Sequence, residues 1–468
     1  MNITEKQDLI NVLKQLALGI KKEIDDSRSR GMIQPEEKLY YRWKVDKFQY
    51  TEKGMTESSA HGEYITKKTW FRASTKIEEF IKKSDEYSSA LEILTKIGGR
   101  KNKIAHDLER FIGELIFRYL DDLKFSGMDV DIFVTNFLKD ISEDPLKCGA
   151  EVELDGIVVL PENIAVKTGD TNIILRPTRI EDLEKEFPVY GFIMQPYLKT
   201  PSAILNIEFL GREVNEIQIK VNQAITILRL FKVGSVKYIS YRMHSESVTD
   251  VTPSGISTAG ESESVLEKSQ ITEEDIQTLR KFWQIMTKTL PLSFYAFGET
   301  KLDHITIAYK RYCDALLQNG VLERRIANAV MGLESLFLKG GEKQELIYRL
   351  SIRIAKLFSL LGYDSYRVKE VVRDAYKVRS LFVHGGHLSD NEKRKLNDKF
   401  GDINTFLLLL MDYLRISIIM MLFIKKEKEE FLDFIDDALV DKDKDSQLNN
   451  LLNTTRNVIS GENNEEAK

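Results

Sequence analysis

"TFLLLLMDYLRISIIMMLFI", residues 405–424, decides between two folds. The run is long enough to span a bilayer, but Asp412 and Arg415 stand near its middle. Each would cost roughly 3 kcal/mol at a bilayer centre. The expectation is therefore a buried helix with no membrane partner. Upstream, apolar residues recur at three- and four-residue spacing near 304–318, 321–338, 344–361 and 365–383, joined by short polar or glycine-containing turns. Such lengths suit an antiparallel helical bundle, taken here as residues 272–440.

Within that bundle, "YKVRSLFVHGG" (376–386) places Arg379 and His384 five positions apart and then stops on Gly385-Gly386. Val371, Ala375, Val378 and Phe382 form the core stripe of this helix, and Arg379 sits beside it. Five residues of regular helix rotate a side chain by about 500°, so Arg379 and His384 would diverge by about 140°. The two glycines favour a left-handed C-terminal cap, which is expected to redirect the histidine. A plainer reading makes Arg379 a helix C-terminal cation and His384 a capping residue. His387, beyond the glycines, reads as a surface residue.

Four segments in order, "AVMGLESLFL", "ELIYRLSIRIAKLF", "VVRDAYKVRSLFVHGG" and "MDYLRISIIMMLF", resemble the Apea-like branch of the HEPN superfamily. The resemblance covers about residues 300 to 424. It implies a small helical bundle that dimerises, bringing two Arg-x4–6-His motifs into one composite ribonuclease centre without metal. It places the catalytic arginine and histidine at Arg379 and His384, with Ser380, Tyr376 and Glu334 in supporting roles. Many such proteins belong to toxin or antiviral defence systems.

The chemistry of the residue types agrees with that implication. RNA is cut by its own 2′-hydroxyl when one group takes the proton, another protonates the leaving 5′-oxygen, and a third stabilises charge on phosphorus. Histidine titrates near neutrality and serves either proton role, while arginine offers a permanent charge and a fork of donors to phosphate oxygens. One motif holds one such histidine, so a homodimer is expected to supply acid and base together. The alternative is a catalytically inactive bundle kept for dimerisation, RNA binding or scaffolding.

Other classes are disfavoured. Cys148 and Cys313 form no CxxC pair, and the six histidines show no HExxH spacing, so neither metal nor disulfide framework is expected. No Walker A sequence is present, and no cofactor is expected. The net charge of −5 lies in residues 425–468, where seven Lys+Arg face twelve Asp+Glu; the rest balances, which leaves an RNA partner open. No charged-then-apolar leader opens the chain, and the cytoplasm is the expected compartment.

Outside the bundle the pattern is α+β. Residues 1–145 read as mainly helical, with a role and activating ligand unknown. In them "LYYRWKVDKFQY" (39–50) alternates aromatic and basic residues and reads as a half-buried strand, or else as a base-stacking surface. "GRKNKIAHDLERF" offers a second pair, Arg100 and His106, read as a solvated helix start. Residues 146–243 read as short strands, with turns at Asp155-Gly156 and Gly169-Asp170, and a helical stripe from Ile217 to Phe231. The Ser/Thr/Gly-rich segment 244–271 reads as a linker and domain boundary, with Thr272 as N-cap of the next helix. Residues 441–468 read as an acidic, disordered tail.

Overall fold

The computed structural model describes residues 3–32, 36–51, 54–69, 74–97, 101–121, 127–142, 144–184, 186–188, 200–211, 214–248, 268–295, 302–317 and 321–460. It is mixed α+β, with an N-terminal region of helices and strands and a C-terminal region that is all helical.

The chain opens with α1 (Ile3–Ser29), the hairpin strands β1 (Glu36–Thr51) and β2 (Gly54–Thr69), then α2 (Ser74–Ile81), α3 (Asp85–Ile97), α4 (Lys101–Asp121) and α5 (Gly127–Ser142). Leu9, Leu13, Leu16, Ile20 and Ile24 line one face of α1, because their spacing of three and four returns each to the same side. They pack with Leu108, Phe111 and Leu115 of α4 and Phe133 and Phe137 of α5 in a core of their own. The 39–50 segment is a strand, as its alternation predicts. Tyr41 lies across Gly62 on β2, where a Cβ would stand 1.8 Å from the Tyr41 hydroxyl oxygen. At its far end Tyr50 donates to the Ser202 carbonyl (3.0 Å) and accepts the Val159 N–H (3.2 Å), tying the hairpin to the central region.

That central region runs β3 (Leu146–Asp155), β4 (Ile157–Val159), β5 (Ile164–Thr168), β6 (Thr171–Pro177), α6 (Ile180–Leu183), β7 (Glu186–Pro188), β8 (Ala203–Gly211), α7 (Val214–Phe231), β9 (Lys237–Ser245) and β10 (Ser269–Ile271). The main sheet is antiparallel with order β5-β6-β8-β3-β9, while β7 adds to β1 and β10 pairs in parallel with β4. Gly156 turns at φ 78°, and a Cβ there would meet the Ser235 carbonyl at 2.2 Å. Only glycine fits.

The helical region comprises α8 (Asp275–Thr289), a 3-10 turn (Leu292–Phe294), α9 (His304–Leu317), α10 (Leu322–Phe337), α11 (Leu346–Leu360), α12 (Ser365–Val383), α13 (Asp390–Phe400), α14 (Ile403–Phe423), α15 (Lys428–Asp437), α16 (Lys442–Leu451) and α17 (Asn453–Ser460). By length and composition α14 alone among the described residues could cross a membrane, yet most of it is buried inside this bundle. Its Arg415 donates to the Leu230 and Phe231 carbonyls at the end of α7 and to Asp412. The charges that weigh against a membrane thus close another helix.

The same device recurs. A helix leaves its last carbonyls without partners, and among the described residues an arginine from elsewhere fills the gap six times: Arg28 on α4, Arg325 on α9, Arg353 on α10, Arg367 on α13, Arg415 on α7 and Arg456 on α11.

Three sequence expectations need correction. The 244–271 boundary does not separate two cores, because one buried cluster runs from Cys148 of β3 to Val458 of α17. A polar, glycine-containing stretch shows that it cannot itself bury a core, but says nothing about whether its flanks pack together. Its described residues include the end of β9, Val248 packed in the N-terminal core, and β10. Residues 441–460 are not a disordered tail: Leu448 of α16, Leu452 between the two helices and Val458 of α17 are buried, and Arg456 caps α11. The Thr272 side chain does not cap the helix: its carbonyl accepts the Asp275 N–H (3.2 Å), and the Asp275 carboxylate at the start of α8 takes the Thr272 N–H (2.8 Å) and hydroxyl (2.9 Å).

Candidate active site

The site is built on α12. Asp364 caps its start, accepting the N–H groups of Tyr366 (2.9 Å) and Arg367 (3.3 Å). Val368, Val371, Val372, Ala375 and Val378 are buried and fix the helix face turned inward. Tyr376, Arg379 and Ser380 are left half-buried beside that stripe, with His384 exposed at the end.

Two glycines close the helix for different reasons. The Gly385 N–H bonds the Phe382 carbonyl and the Gly386 N–H bonds the Leu381 carbonyl, both at 2.9 Å, which is the paired cap expected when a left-handed residue follows a helix. Gly385 supplies that conformation at φ 80°. Gly386 supplies room, since a Cβ there would meet the Leu381 side chain at 2.5 Å. The cap does not redirect the histidine, contrary to the expectation from the sequence. His384 has φ −88° and ψ 13°, and its N–H still bonds the Ser380 carbonyl at 3.2 Å. The left-handed turn comes one residue too late. Arg379 and His384 therefore leave the helix about 140° apart.

Beyond the cap the backbone is pinned. The Leu388 N–H donates to Glu323 on α10 (3.2 Å), and Ser389 with Glu392 forms a capping box that starts α13. Lys399 of α13 bridges Glu370 and Asp374 of α12. Burial pushes the Asp374 carboxyl up, but Lys377 and Lys399 prevail and hold it low. Glu323 was not legible as a positioning residue in the sequence: an acid in a first helical turn reads as a dipole partner.

Arg379 turns toward α10. Its Nη2 donates to Glu334 Oε2 at 3.1 Å, and its guanidinium stands 5.6 Å from the centre of the Tyr376 ring. Its Nε is buried without a hydrogen-bond partner among the described residues. Burial raises the Glu334 carboxyl above its ordinary range, opposed by the charge and hydrogen bond of Arg379. Burial, and next the neighbouring Glu334, raise the Tyr376 phenol.

Of the residues singled out from sequence, Glu334, Tyr376 and Arg379 come together in the groove between α10 and α12. His384 does not join them. His387 is exposed beyond the cap. In the second Arg/His pair, Arg100 lies outside the described residues and His106 is exposed on α4. No family, curated protein or solved structure matches this chain.

Proposed function

We propose that this chain is a metal-independent endoribonuclease of the HEPN type that its C-terminal segments resemble, with a cutting centre completed by a second copy of the chain. The observation that carries the reading is the placement of two groups on one helix end. A part-exposed guanidinium with unused donors and an exposed imidazole leave α12 in different directions. One copy alone does not converge them on a single phosphate, whereas a two-fold partner can set the histidine of one beside the arginine of the other. Arginine then takes the phosphate oxygens, one histidine accepts the 2′-hydroxyl proton, and the other protonates the leaving 5′-oxygen. A role in antiviral or toxin-like defence, with activity controlled through the N-terminal region, goes with the resemblance.

A second reading has its own support: the Arg379–Glu334 pair ties α10 to α12, as a purely structural arginine would in a dimerisation or scaffold bundle. Purified protein incubated with total RNA in EDTA separates the two. The proposal expects fragments ending in 2′,3′-cyclic phosphate, and none from folded His384→Ala. Intact RNA from the folded wild-type chain, or cleavage strictly dependent on magnesium, overturns it.

A further inference from the structure

We propose that a chloride-sized monovalent anion binds in the cavity between the β5–β6 hairpin, α7 and α8, with Lys220 and Thr168 as its donors. The site lies outside the α10–α12 groove, and its test does not depend on the ribonuclease reading.

The cavity arises where α8 lies along the outer strand of the main sheet. Arg280 and Gln284 of α8 donate to the Ala165 (2.9 Å) and Lys167 (3.4 Å) carbonyls of β5, acceptors that an edge strand otherwise leaves unpaired. Near the Gly169-Asp170 turn a cavity of about 10 Å³ remains, lined in part by Thr168, Thr171, Lys220, Gln223, Trp283 and Thr287. It has room for roughly one water-sized body. Phosphate and sulfate are too large for it.

The polar lining is unbalanced in charge. Lys220 is half-buried on α7; its Nζ donates to the Thr171 hydroxyl (3.1 Å) and stands 5.6 Å from the centre of the Phe209 ring. Among the described residues no carboxylate pairs with it. An ammonium carries more donors than this one bond uses. On the same cavity the Thr168 hydroxyl is buried with no hydrogen-bond partner among the described residues. The remaining hydrogens are engaged. Gln223 Nε2 donates to the Thr287 carbonyl and the Tyr295 hydroxyl, both at 3.2 Å. The Thr287 hydroxyl donates to the Trp283 carbonyl (2.8 Å), and the Thr171 hydroxyl to Asp170 Oδ1 (3.3 Å). A cation and a hydroxyl are thus left to donate into a space the size of one small ion. Water would satisfy the hydroxyl but leave the desolvated ammonium without a counter-charge, and a monovalent anion answers both needs.

Crystals of the full chain grown in sodium bromide test this directly, because bromide replaces chloride and scatters anomalously at its absorption edge. The proposal expects an anomalous peak in contact with Lys220 Nζ and Thr168 Oγ1. In solution, the thermal midpoint is followed as chloride replaces gluconate, which is too large for the cavity, at constant ionic strength. The wild-type midpoint should rise by about 2 °C between about 5 and about 500 mM chloride. Lys220→Met keeps the aliphatic stem and should lose that rise. Thr168→Val keeps the shape of the wall and should need about tenfold more chloride for the same rise, the loss of one hydrogen bond. A cavity without bromide, or the same chloride dependence in the wild type and both variants, overturns the proposal.

Discussion

Arg353 and Arg379 both reach α10 from a neighbouring helix, and they are satisfied very differently. The Arg353 side chain is 1% exposed and makes five hydrogen bonds, to the Phe337 carbonyl and to both oxygens of Glu342 and of Asp436. Every donor of its fork is occupied. The Arg379 side chain is 25% exposed, makes one side-chain hydrogen bond among the described residues, and leaves Nε buried without a partner. A saturated arginine is a structural fastener. An arginine with unused donors beside an exposed face can take an incoming anion, and this contrast is the physical ground for assigning the two different roles.

The comparison breaks most visibly in stability. Arg353→Ala strands two carboxylates and opens the end of α10, and should cost about 3–5 kcal/mol in chemical denaturation. Arg379→Ala loses one part-exposed pair and should cost under about 1 kcal/mol, while slowing RNA cleavage about 100-fold or more. Equal stability losses in the two variants would erase the distinction.

Acid sharpens it further. The hydrogen bonds from Arg353 hold the Glu342 carboxyl down to about 2 against an ordinary 4.5, despite some opposition from burial. A carboxyl lowered on folding adds stability that is complete above its unfolded pKa and is lost as pH falls through the folded one. Thermal midpoints should therefore decline between about pH 5 and pH 2, and Glu342→Gln should flatten that decline. Parallel profiles for the two proteins would contradict the assignment. The smallest effect belongs to the helix end near His384: Gly385→Ala places a Cβ at φ 80° and should destabilise by about 1 kcal/mol, measurable as a lower denaturation midpoint.

How much of this was legible in the sequence follows from where the information lies. The helices from His304 to Val383 and the long apolar α14 announce themselves by periodicity, because each buries one full stripe or all of its faces. Helix α13 does not, since Leu396 and Phe400 are its only buried residues and its remaining positions are charged or polar. The same holds for α16 and α17, whose few apolar residues matter only because the bundle waits beneath them. Arg379, His384 and the glycine cap were readable from local spacing. The Glu334–Arg379 pair, 45 residues apart in the chain, was legible only as two positions of one pattern, and the outward direction of His384 was misjudged because one residue decides whether a cap turns a side chain or follows it.

The central claim is that one cutting centre takes groups from two chains, and mixed oligomers test it most directly. Wild-type protein is mixed with increasing excess of His384→Ala under conditions that exchange subunits, and RNA cleavage is measured against the wild-type fraction. A shared site predicts activity falling faster than that fraction, because each mixed dimer lacks one proton-transfer group. Activity strictly proportional to the wild-type fraction, or a monomer cutting at full rate, would contradict it.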